Sequence, residues 1–197
     1  MDQAAMYKLS YGLFVLTSSF GGKESGCIIN TAGQVTVEPN RISIAVSKSN
    51  FTHDLVRDSG KFNLSVLSQD ADFEIFRHFG FQSGRTVDKF ADYAHCQRSP
   101  SGLYYITKGT NAYISAKVEQ SIDLGTHTLF IAAVEDMQVL AETPSATYEY
   151  YHASIKPQPE QQKTGGKTAW RCVICGYIYE GEELPADFIC PWCKHPA

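Results

Sequence analysis

Residues 170–197 read WRCVICGYIYEGEELPADFICPWCKHPA, and the cysteines in this stretch decide the fold of the C-terminal end. They are Cys172, Cys175, Cys190 and Cys193, spaced as C-x2-C-x14-C-x2-C. Each C-x-x-C turn can direct two thiolates at one ion, and two facing turns supply four sulfur ligands in a tetrahedral arrangement. The spacing therefore predicts a metal site. Two disulfides or four unrelated thiols are the alternative.

The small size of this segment also favours a metal. Only about 31 residues run from Lys167 to the end, and a core that small is rarely stable without a metal or a disulfide. We therefore expect metal binding to supply much of the folding free energy. The spacing by itself permits either a zinc ribbon or a single iron.

The residues beside the cysteines favour iron. The stretches CVICGYIY (172–179) and CPWC (190–193) resemble the two knuckles of the rubredoxin family, and Trp170 and Phe188 supply further aromatic residues for its small core. The resemblance covers nearly all of residues 170–197, and the loop between the knuckles is short, as in the rubredoxin segment of rubrerythrins. It implies one FeS4 centre held by the four cysteines, which acts as a one-electron relay.

A change in composition separates this end from the rest of the chain. Residues 153–168 read ASIKPQPEQQKTGGKT and contain one aliphatic side chain larger than alanine, Ile155. Such a segment buries too little apolar surface to offset its ordering entropy. The sequence predicts domains at 1–152 and 169–197, joined by a flexible linker at 153–168.

The N-terminal domain has the patterns of β-strands. Residues 42–47 alternate apolar and small side chains, as a half-buried strand does. The other predicted strands are 13–17, 27–31, 62–67, 112–118 and 128–134. Six strands with two short helices predict a closed or partly closed β-barrel.

Capping residues place the two helices. One is predicted at 53–58, capped by Thr52 or Asn50 and ended by Gly60. The other is predicted at 71–79, capped by Asp70 and ended by Gly80.

Polar clusters mark the ends of several of these elements. The segment SKSNFTH (47–53) leads from a strand into a helix, so it places positive charge, hydroxyls and unpaired helix N–H groups at one point, which suits a phosphate. NTAGQV (30–35), FQSGR (81–85) and GTHT (125–128) are the other clusters. Each cluster by itself is also typical of a capped helix or a solvated turn.

Taken together, these stretches resemble the flavin reductase-like family. The matching stretches are YGLFVLTS (11–18), GCIINT (26–31), QVT (34–36), NFTH (50–53), SGR (83–85), DKF (88–90) and THTLF (126–130), and the resemblance covers most of residues 6–151. It implies a mainly β fold: a split β-barrel flavin reductase-like domain with short helices, followed by the small rubredoxin-like iron-knuckle domain. It also implies a homodimer that holds FMN near the subunit interface.

The resemblance further implies which residues contact FMN. The residues implied to contact the isoalloxazine or the ribityl chain are Asn30, Thr31 and Gln34. Those implied to approach the ribityl chain and the phosphate are Ser47, Lys48, Asn50 and Thr52. The phosphate cradle is completed by Ser83, Gly84, Arg85 and Lys89. The family places His127 near the reacting face of the flavin, where a nicotinamide stacks, as the catalytic residue.

The combination of the two domains resembles the high-molecular-weight rubredoxins. A flavin accepts a hydride, whereas an FeS4 centre accepts one electron, so together they form an electron-transfer chain. The resemblance implies an NAD(P)H:flavin/rubredoxin oxidoreductase that passes electrons from NAD(P)H through FMN to iron. The implied acceptor is a flavodiiron protein that reduces NO or O2, or a rubrerythrin.

Three alternative functions stay open at this point. The chain is also compatible with a flavin reductase that supplies a monooxygenase, a non-enzymatic FMN and iron carrier, or a flavin domain with a zinc-ribbon interaction module.

The net charge of -4 argues against a nucleic-acid partner. The longest aliphatic run, 129–134, is far shorter than the ~20 residues of a membrane helix. Because no secretory signal is visible and four thiolates are expected, we expect a cytoplasmic location.

Overall fold

A computed structural model describes residues 5, 8–157, 160–164, 167–172 and 176–191. The chain divides into two compact units, Met1–Ile155 and Lys156–Ala197. The predicted boundaries at 152/153 and 168/169 stay predictions. No helix in the described part of the chain is long and apolar enough to cross a membrane.

The first unit is built on one antiparallel sheet of seven strands, which confirms the prediction of a mainly β fold. Its strands are β1 (Phe14–Phe20), β2 (Lys23–Ile29), β3 (Gly33–Thr36), β4 (Arg41–Ser47), β5 (Lys61–Leu67), β8 (Thr110–Asp123) and β9 (His127–Val139). Between β5 and β8, the strands β6 (Cys96–Arg98) and β7 (Tyr104–Ile106) form a separate hairpin. Their order in the sheet is β2-β1-β5-β8-β9-β4-β3. All six predicted strands are present, but β2 ends at Ile29, so Asn30 and Thr31 lie beyond it.

The sheet curves around one of the two buried apolar clusters of the first unit. Cys27 and Ile29 from β2, at one edge, share a buried apolar cluster with Ile42 and Ile44 from β4, next to the other edge. The Thr31 hydroxyl also donates a hydrogen bond to the carbonyl oxygen of Ala45 in β4. Two ends of a sheet can share one core only when the sheet bends back on itself. This is the predicted split β-barrel.

The first helix begins two residues before the predicted span of 53–58, so Thr52 lies inside it and Asn50 occupies the cap position. α1 (Phe51–Ser59) follows Asn50, whose backbone is extended, and ends at Gly60 with a left-handed φ of 66°. Glycine adopts that conformation without a steric penalty, which is why the helix stops there. α1 packs against β1 and β2 through a face that includes Thr52 and Leu55.

The second helix corrects the sequence prediction at both ends. α2 (Phe73–Gly80) is capped by Asp72, whose carboxylate accepts a hydrogen bond from the N–H of Ile75. Asp70 is not the cap, because residues 68–71 form a turn in which Ser68 accepts from the N–H groups of Asp70 and Ala71. Gly80 belongs to the helix, and Phe81, in a right-handed conformation, ends it.

We expect Asp72→Ala to lower the free energy of unfolding by about 1 kcal/mol, because the N-terminal N–H groups of α2 lose their acceptor. A hydrogen bond from the Lys108 ammonium lowers the pKa of Asp72 below its ordinary value of 3.8. Burial acts in the opposite direction, and the Ile75 N–H adds to the lowering. A carboxyl with a depressed folded-state pKa contributes its stabilisation fully above pH 3.8 and loses it as the pH falls through the folded-state pKa. Urea denaturation at pH 7 and near pH 3 should therefore show a difference between variant and wild type that shrinks in acid.

The matched control is Asp70→Ala, which removes the carboxylate that the sequence alone favours as the cap. Because its side chain accepts only an exposed hydrogen bond from Thr143 among the described contacts, we expect a cost of about 0.5 kcal/mol or less. A larger loss for Asp70→Ala than for Asp72→Ala would contradict the assignment of the cap.

The first unit ends in a short helix, α3 (Tyr148–Tyr150), which continues into a π-helical turn at Tyr151–Ile155. The second unit contains an antiparallel sheet of β10 (Glu160–Thr164), β11 (Lys167–Arg171) and β12 (Ile178–Glu180), with β11 in the centre. Part of the predicted linker therefore forms a strand, because residues 160–164 pair with residues 167–171. The sequence predicts coil there because the segment has few apolar side chains, whereas the pairing is made by backbone N–H and C=O groups.

Candidate functional site

A cavity of about 270 Å³ opens on the first unit where β2, the beginning of α1 and the loop after α2 meet. Residues 25–28, 49–52, 79–84 and 89 line it, and we call it the α1 pocket. Three segments far apart in the chain form its walls, so the packing of both helices against β2 creates it.

The beginning of α1 gives the α1 pocket a positive character. The side chain of the N-cap residue Asn50 makes no capping hydrogen bond, and the helix runs for nine residues from this point. The first N–H groups of a helix and its dipole attract anions. Behind them the buried Thr52 hydroxyl donates to the Ser25 hydroxyl at 3.3 Å, which ties α1 to β2.

Gly84 lets the loop after α2 come close to β2. A Cβ atom at this position would lie 2.1 Å from the Ser25 Oγ and 3.2 Å from Cδ1 of Phe51. No side chain fits into that space without moving its neighbours. The backbone of residues 83–84 therefore forms a wall that only glycine allows.

Lys89 places a buried cation in the same wall. Its side chain is almost fully buried, and Nζ donates hydrogen bonds to the carbonyl oxygens of Gly26, at 2.8 Å, and Phe79, at 2.9 Å. Burial lowers the pKa of the Lys89 ammonium, and the nearby Cys27 partly offsets that effect. Because Phe79 lies in the last turn of α2, Lys89 joins the end of that helix to β2. This contact fixes the geometry of the α1 pocket.

Cys27 also lines the α1 pocket, as a protonated thiol. Burial raises its pKa to about 11, although a hydrogen bond with Thr52 and the charge of Lys89 act in the opposite direction. A thiol with that pKa is a poor nucleophile at neutral pH.

Arg85 and Lys23 flank the α1 pocket from outside its lining. The Arg85 guanidinium lies 5.4 Å from the centroid of the Phe51 ring, and the Lys23 ammonium lies 5.9 Å from the same centroid. Arg85 also forms an ion pair with Asp54, 2.7 Å away. Two cationic side chains therefore lie near the Phe51 ring at the mouth of the α1 pocket.

Ser47, Lys48 and His127 form a neighbouring group where β4 meets β9. Ser47 pairs with His127 in the register of these strands, and the Lys48 N–H donates to the carbonyl oxygen of Thr126. The Lys48 ammonium lies 2.6 Å from the Asp123 carboxylate. Residues 47–52 run continuously from this group into the α1 pocket.

Asn30, Thr31 and Gln34 lie outside the α1 pocket, beside the β3 edge of the sheet. Thr31 donates to Ala45 in β4, and the Gln34 amide donates to the Asn40 side chain at 3.1 Å. Of the predicted flavin-contacting residues, the structure therefore brings five into one cavity lining: Asn50, Thr52, Ser83, Gly84 and Lys89.

Sequence reasoning missed several residues of this site. Ser25 and Phe79 line the α1 pocket, and Asp54 holds Arg85, yet none of them belongs to the clusters that predict phosphate binding. Ser25 lies inside a strand and Phe79 inside a helix, where local patterns indicate only core positions. The one available signal for Asp54 was its position directly after the NFTH stretch.

The second unit shows one knuckle-like turn around Cys172. The Cys172 N–H donates to the Tyr177 carbonyl oxygen and the Gly176 N–H donates to the Cys172 carbonyl oxygen, both at 2.8 Å. Gly176 has a left-handed φ of 78°, which explains the glycine after the C-x-x-C pair. Cys190 is buried, with 1% of its surface exposed. Cys175 and Cys193 lie outside the described residues.

Aromatic residues of the second unit contact one another and the backbone. The rings of Tyr179 and Phe188 lie 5.1 Å apart, and the Trp170 indole N–H donates to the Gly181 carbonyl oxygen at 3.2 Å. Thiolates in a small aromatic environment are a donor set that iron accepts. The described residues therefore fit the ligand chemistry of an FeS4 centre.

Comparisons with known families match both units. Residues 6–158 match the flavin reductase like domain family, and residues 170–197 match the rubrerythrin, rubredoxin-like domain family. The chain is 34% identical to the high molecular weight rubredoxin of Moorella thermoacetica, covering 98% of this chain and 96% of the relative. It is 37% identical to the ferric-chelate reductase (NAD(P)H) of Archaeoglobus fulgidus, covering 83% of this chain and 96% of the relative.

Solved structures share the fold of the first unit. The NADH:FAD oxidoreductase SgcE6 of Streptomyces globisporus C-1027 is similar with a TM-score of 0.66 and 21% identity, covering 74% of this chain and 85% of that protein. The flavin reductase PheA2 is similar with a TM-score of 0.61 and 25% identity, covering 75% of this chain and 93% of that protein.

Fold and sequence matches together define a redox protein of two modules, since a flavin reductase-like domain implies a flavin and a rubredoxin-like domain implies iron. This chain belongs to the flavin reductase-like family and carries a rubredoxin-like domain at its C-terminal end.

Proposed function

We propose that the protein is an NAD(P)H:flavin/rubredoxin oxidoreductase in which electrons pass from NAD(P)H through FMN to an FeS4 centre and then to an acceptor protein. The observation that carries this proposal is the α1 pocket, a cavity lined by the beginning of α1, Gly84 and Lys89 in a flavin reductase-like unit of a chain that also has rubredoxin-type cysteines. The match to a high molecular weight rubredoxin over nearly the whole chain supports the combination.

The α1 pocket suits the phosphate of FMN. A phosphate monoester carries a charge of roughly -2 and needs N–H donors and cations around it. The beginning of α1, the glycine wall at Gly84, the Lys89 ammonium and the nearby Arg85 provide these. Asn50, Thr52 and Ser83 add polar side chains in the same lining. When bound, the flavin supplies hydride acceptance and single-electron release.

The neighbouring group of Ser47, Lys48 and His127 suits the reacting end of the ligand. Residues 47–52 connect this group to the α1 pocket, so Ser47, Lys48 and His127 would contact the ring end of a flavin whose phosphate occupied the pocket. His127, whose Nδ1 lies 2.9 Å from the Thr126 hydroxyl, is the residue we propose for orienting the nicotinamide. Asn30, Thr31 and Gln34 remain proposed ring and ribityl contacts.

The second unit holds the iron through Cys172, Cys175, Cys190 and Cys193 in this proposal. Four thiolates leave no open ligand position, so the centre relays electrons and does not bind substrate. The bound iron supplies one-electron transfer. Burial of Cys190 keeps water away from that ligand. A flavodiiron protein or a rubrerythrin is the proposed acceptor.

Exposed apolar side chains on the first unit support the proposed homodimer. Val35, Val37, Met137 and Val139 each expose more than half of their surface, and they lie at or near β3 and the end of β9. Apolar side chains exposed in this number at one region of a sheet are typical of an interface. A second copy would cover them.

A second candidate function is reduction of ferric chelates by the first unit. The relative from Archaeoglobus fulgidus with that name matches 83% of this chain. In this alternative the reduced flavin passes electrons to an external iron chelate, and the second unit is not the obligatory carrier.

Anaerobic titration with NADH or NADPH tests the proposal. FMN takes up two electrons and the iron takes up one, so we expect full bleaching of the flavin and ferric–thiolate bands after about 1.5 equivalents of NAD(P)H per chain. An endpoint near one equivalent, with FMN reduced and iron still oxidised, would contradict the internal transfer. The absence of any NAD(P)H oxidation would favour a carrier reduced by another protein, and a colourless second unit with zinc would favour the interaction module.

A further inference from the structure

A hydrogen-bonded series of side chains connects the mouth of the α1 pocket to the start of β9. The Arg85 guanidinium donates to the Asp54 carboxylate at 2.7 Å, and the same carboxylate lies 3.1 Å from Nδ1 of His53. Nε2 of His53 lies 2.8 Å from the Thr128 hydroxyl. His53 is buried in the first turn of α1, and Thr128 follows His127 in β9.

Asp54 is the charged centre of this series. Burial raises the pKa of its carboxyl, but the hydrogen bonds from His53 and Arg85 lower it more, so the pKa lies below its ordinary value. The carboxylate is therefore ionised at neutral pH. Nδ1 of His53 faces this carboxylate and Nε2 faces the Thr128 hydroxyl, so the imidazole bridges Asp54 and β9.

We propose that Asp54 is a positioning residue that holds Arg85 across the Phe51 ring at the mouth of the α1 pocket, where Arg85 meets the phosphate of the ligand. This inference rests on the proposed function, in which that ligand is FMN. Without Asp54, the Arg85 side chain has only its contact with Phe51 to fix it among the described contacts.

The ion pair leaves Arg85 able to bind an anion. A guanidinium carries five N–H donors in a fixed planar arrangement, and the contact with Asp54 is made by Nη2. The remaining donors suit a phosphate oxygen. The negative charge of Asp54 is offset by its ion pairs with Arg85 and Arg57, at 2.7 and 3.5 Å, so it repels the phosphate only weakly. Positioning should therefore outweigh repulsion.

Comparison of FMN with riboflavin isolates the phosphate contact. Riboflavin has the same ring and ribityl chain but no phosphate, so loss of Arg85 positioning weakens FMN binding alone. Titrating the flavin-free full-length protein by flavin fluorescence, we expect Asp54→Asn to raise the Kd for FMN about tenfold and to change the Kd for riboflavin by less than about twofold. The matched control is Glu74→Gln, whose carboxylate pairs with Arg77 on α2 and has no described contact with Asp54 or Arg85, and it should leave both constants unchanged.

A double-mutant cycle tests whether Asp54 acts through Arg85. Arg85→Lys should weaken FMN binding in the wild-type background and cause little further loss in the Asp54→Asn background. Additive losses, tighter FMN binding by Asp54→Asn, or equal losses for both flavins would overturn the positioning role. A wild-type protein that binds FMN no better than riboflavin would overturn the phosphate site itself, so the two failures are distinguishable.

Discussion

We expect the Cys172→Ser and Cys190→Ser variants to lose their iron, while the first unit keeps its flavin and its reduction by NAD(P)H. Serine offers no thiolate, and a tetrahedral sulfur site that lacks one ligand loses most of its affinity for the metal. Because the second unit is small, its folding depends on that metal. We expect iron to fall from about one per chain to below about 0.1, with loss of the ferric–thiolate bands.

The consequence for function is a change in electron count. Without iron, the NAD(P)H titration of either variant should end near about 1.0 equivalent per chain instead of about 1.5. Reduction of the proposed acceptor protein should stop, whereas reduction of ferric chelates by the flavin should continue. Acceptor reduction that survives in both variants would show that electrons leave directly from the flavin.

Cys96→Ser is the matched control for this experiment. Cys96 lies in the first unit, where its thiol donates to the Tyr93 carbonyl oxygen at 3.1 Å and burial raises its pKa. Serine can make the same hydrogen bond. The variant should keep its iron, its flavin and its endpoint, and loss of iron from it would contradict the assignment of the ligands.

Gly84→Ala is the second variant with a large expected effect, and it should weaken FMN binding. Its Cβ atom would lie 2.1 Å from the Ser25 Oγ, and Ser25 is itself buried and bonded to Thr52, so the 81–85 loop must move outward. Forced overpacking of this kind costs about 1–3 kcal/mol. We expect this strain to oppose the loop conformation that binds FMN, so the Kd for FMN should rise roughly 5- to 150-fold. Equilibrium dialysis against FMN would measure it.

Gly80→Ala is the matched control for that steric argument. Its Cβ atom would meet only Cγ1 and Cβ of Ile28, at 3.5 and 3.9 Å, which are ordinary contacts. The substitution is of the same kind and in the same cavity lining, so it should lower FMN affinity much less than Gly84→Ala. Equal affinities of Gly84→Ala and wild type would show that FMN does not approach this wall.

Particular residues show how far sequence reasoning reached. The alternation in residues 42–47 predicted β4 and its buried face, because each side chain's face in a strand follows from its position alone. The stretch NFTH predicted the start of α1, and Gly60 its end, since caps depend on neighbouring residues. Asp70 was the wrong cap for α2, because Ser68 takes the nearby N–H groups into a turn and the helix begins later.

Lys89 shows the limit for the candidate site. The sequence placed it in a phosphate cradle by family resemblance, but its ammonium also binds the carbonyl oxygens of Gly26 and Phe79. These atoms lie 63 and 10 positions away in the chain. No local pattern indicates such a contact, because it requires β2, α2 and the following loop to be packed together first.

The sequence by itself determined the two redox modules and the type of most elements of the barrel, and it predicts the four sulfur ligands, because strand alternation, helix caps and cysteine spacing are properties of neighbouring residues. Only the tertiary structure decided that Ser25, Gly84 and Lys89 share one cavity and that Asp54 holds Arg85. Those contacts join residues brought together by the packing of both helices against the sheet. Long-range packing sets that geometry, and short stretches of sequence do not encode it separately.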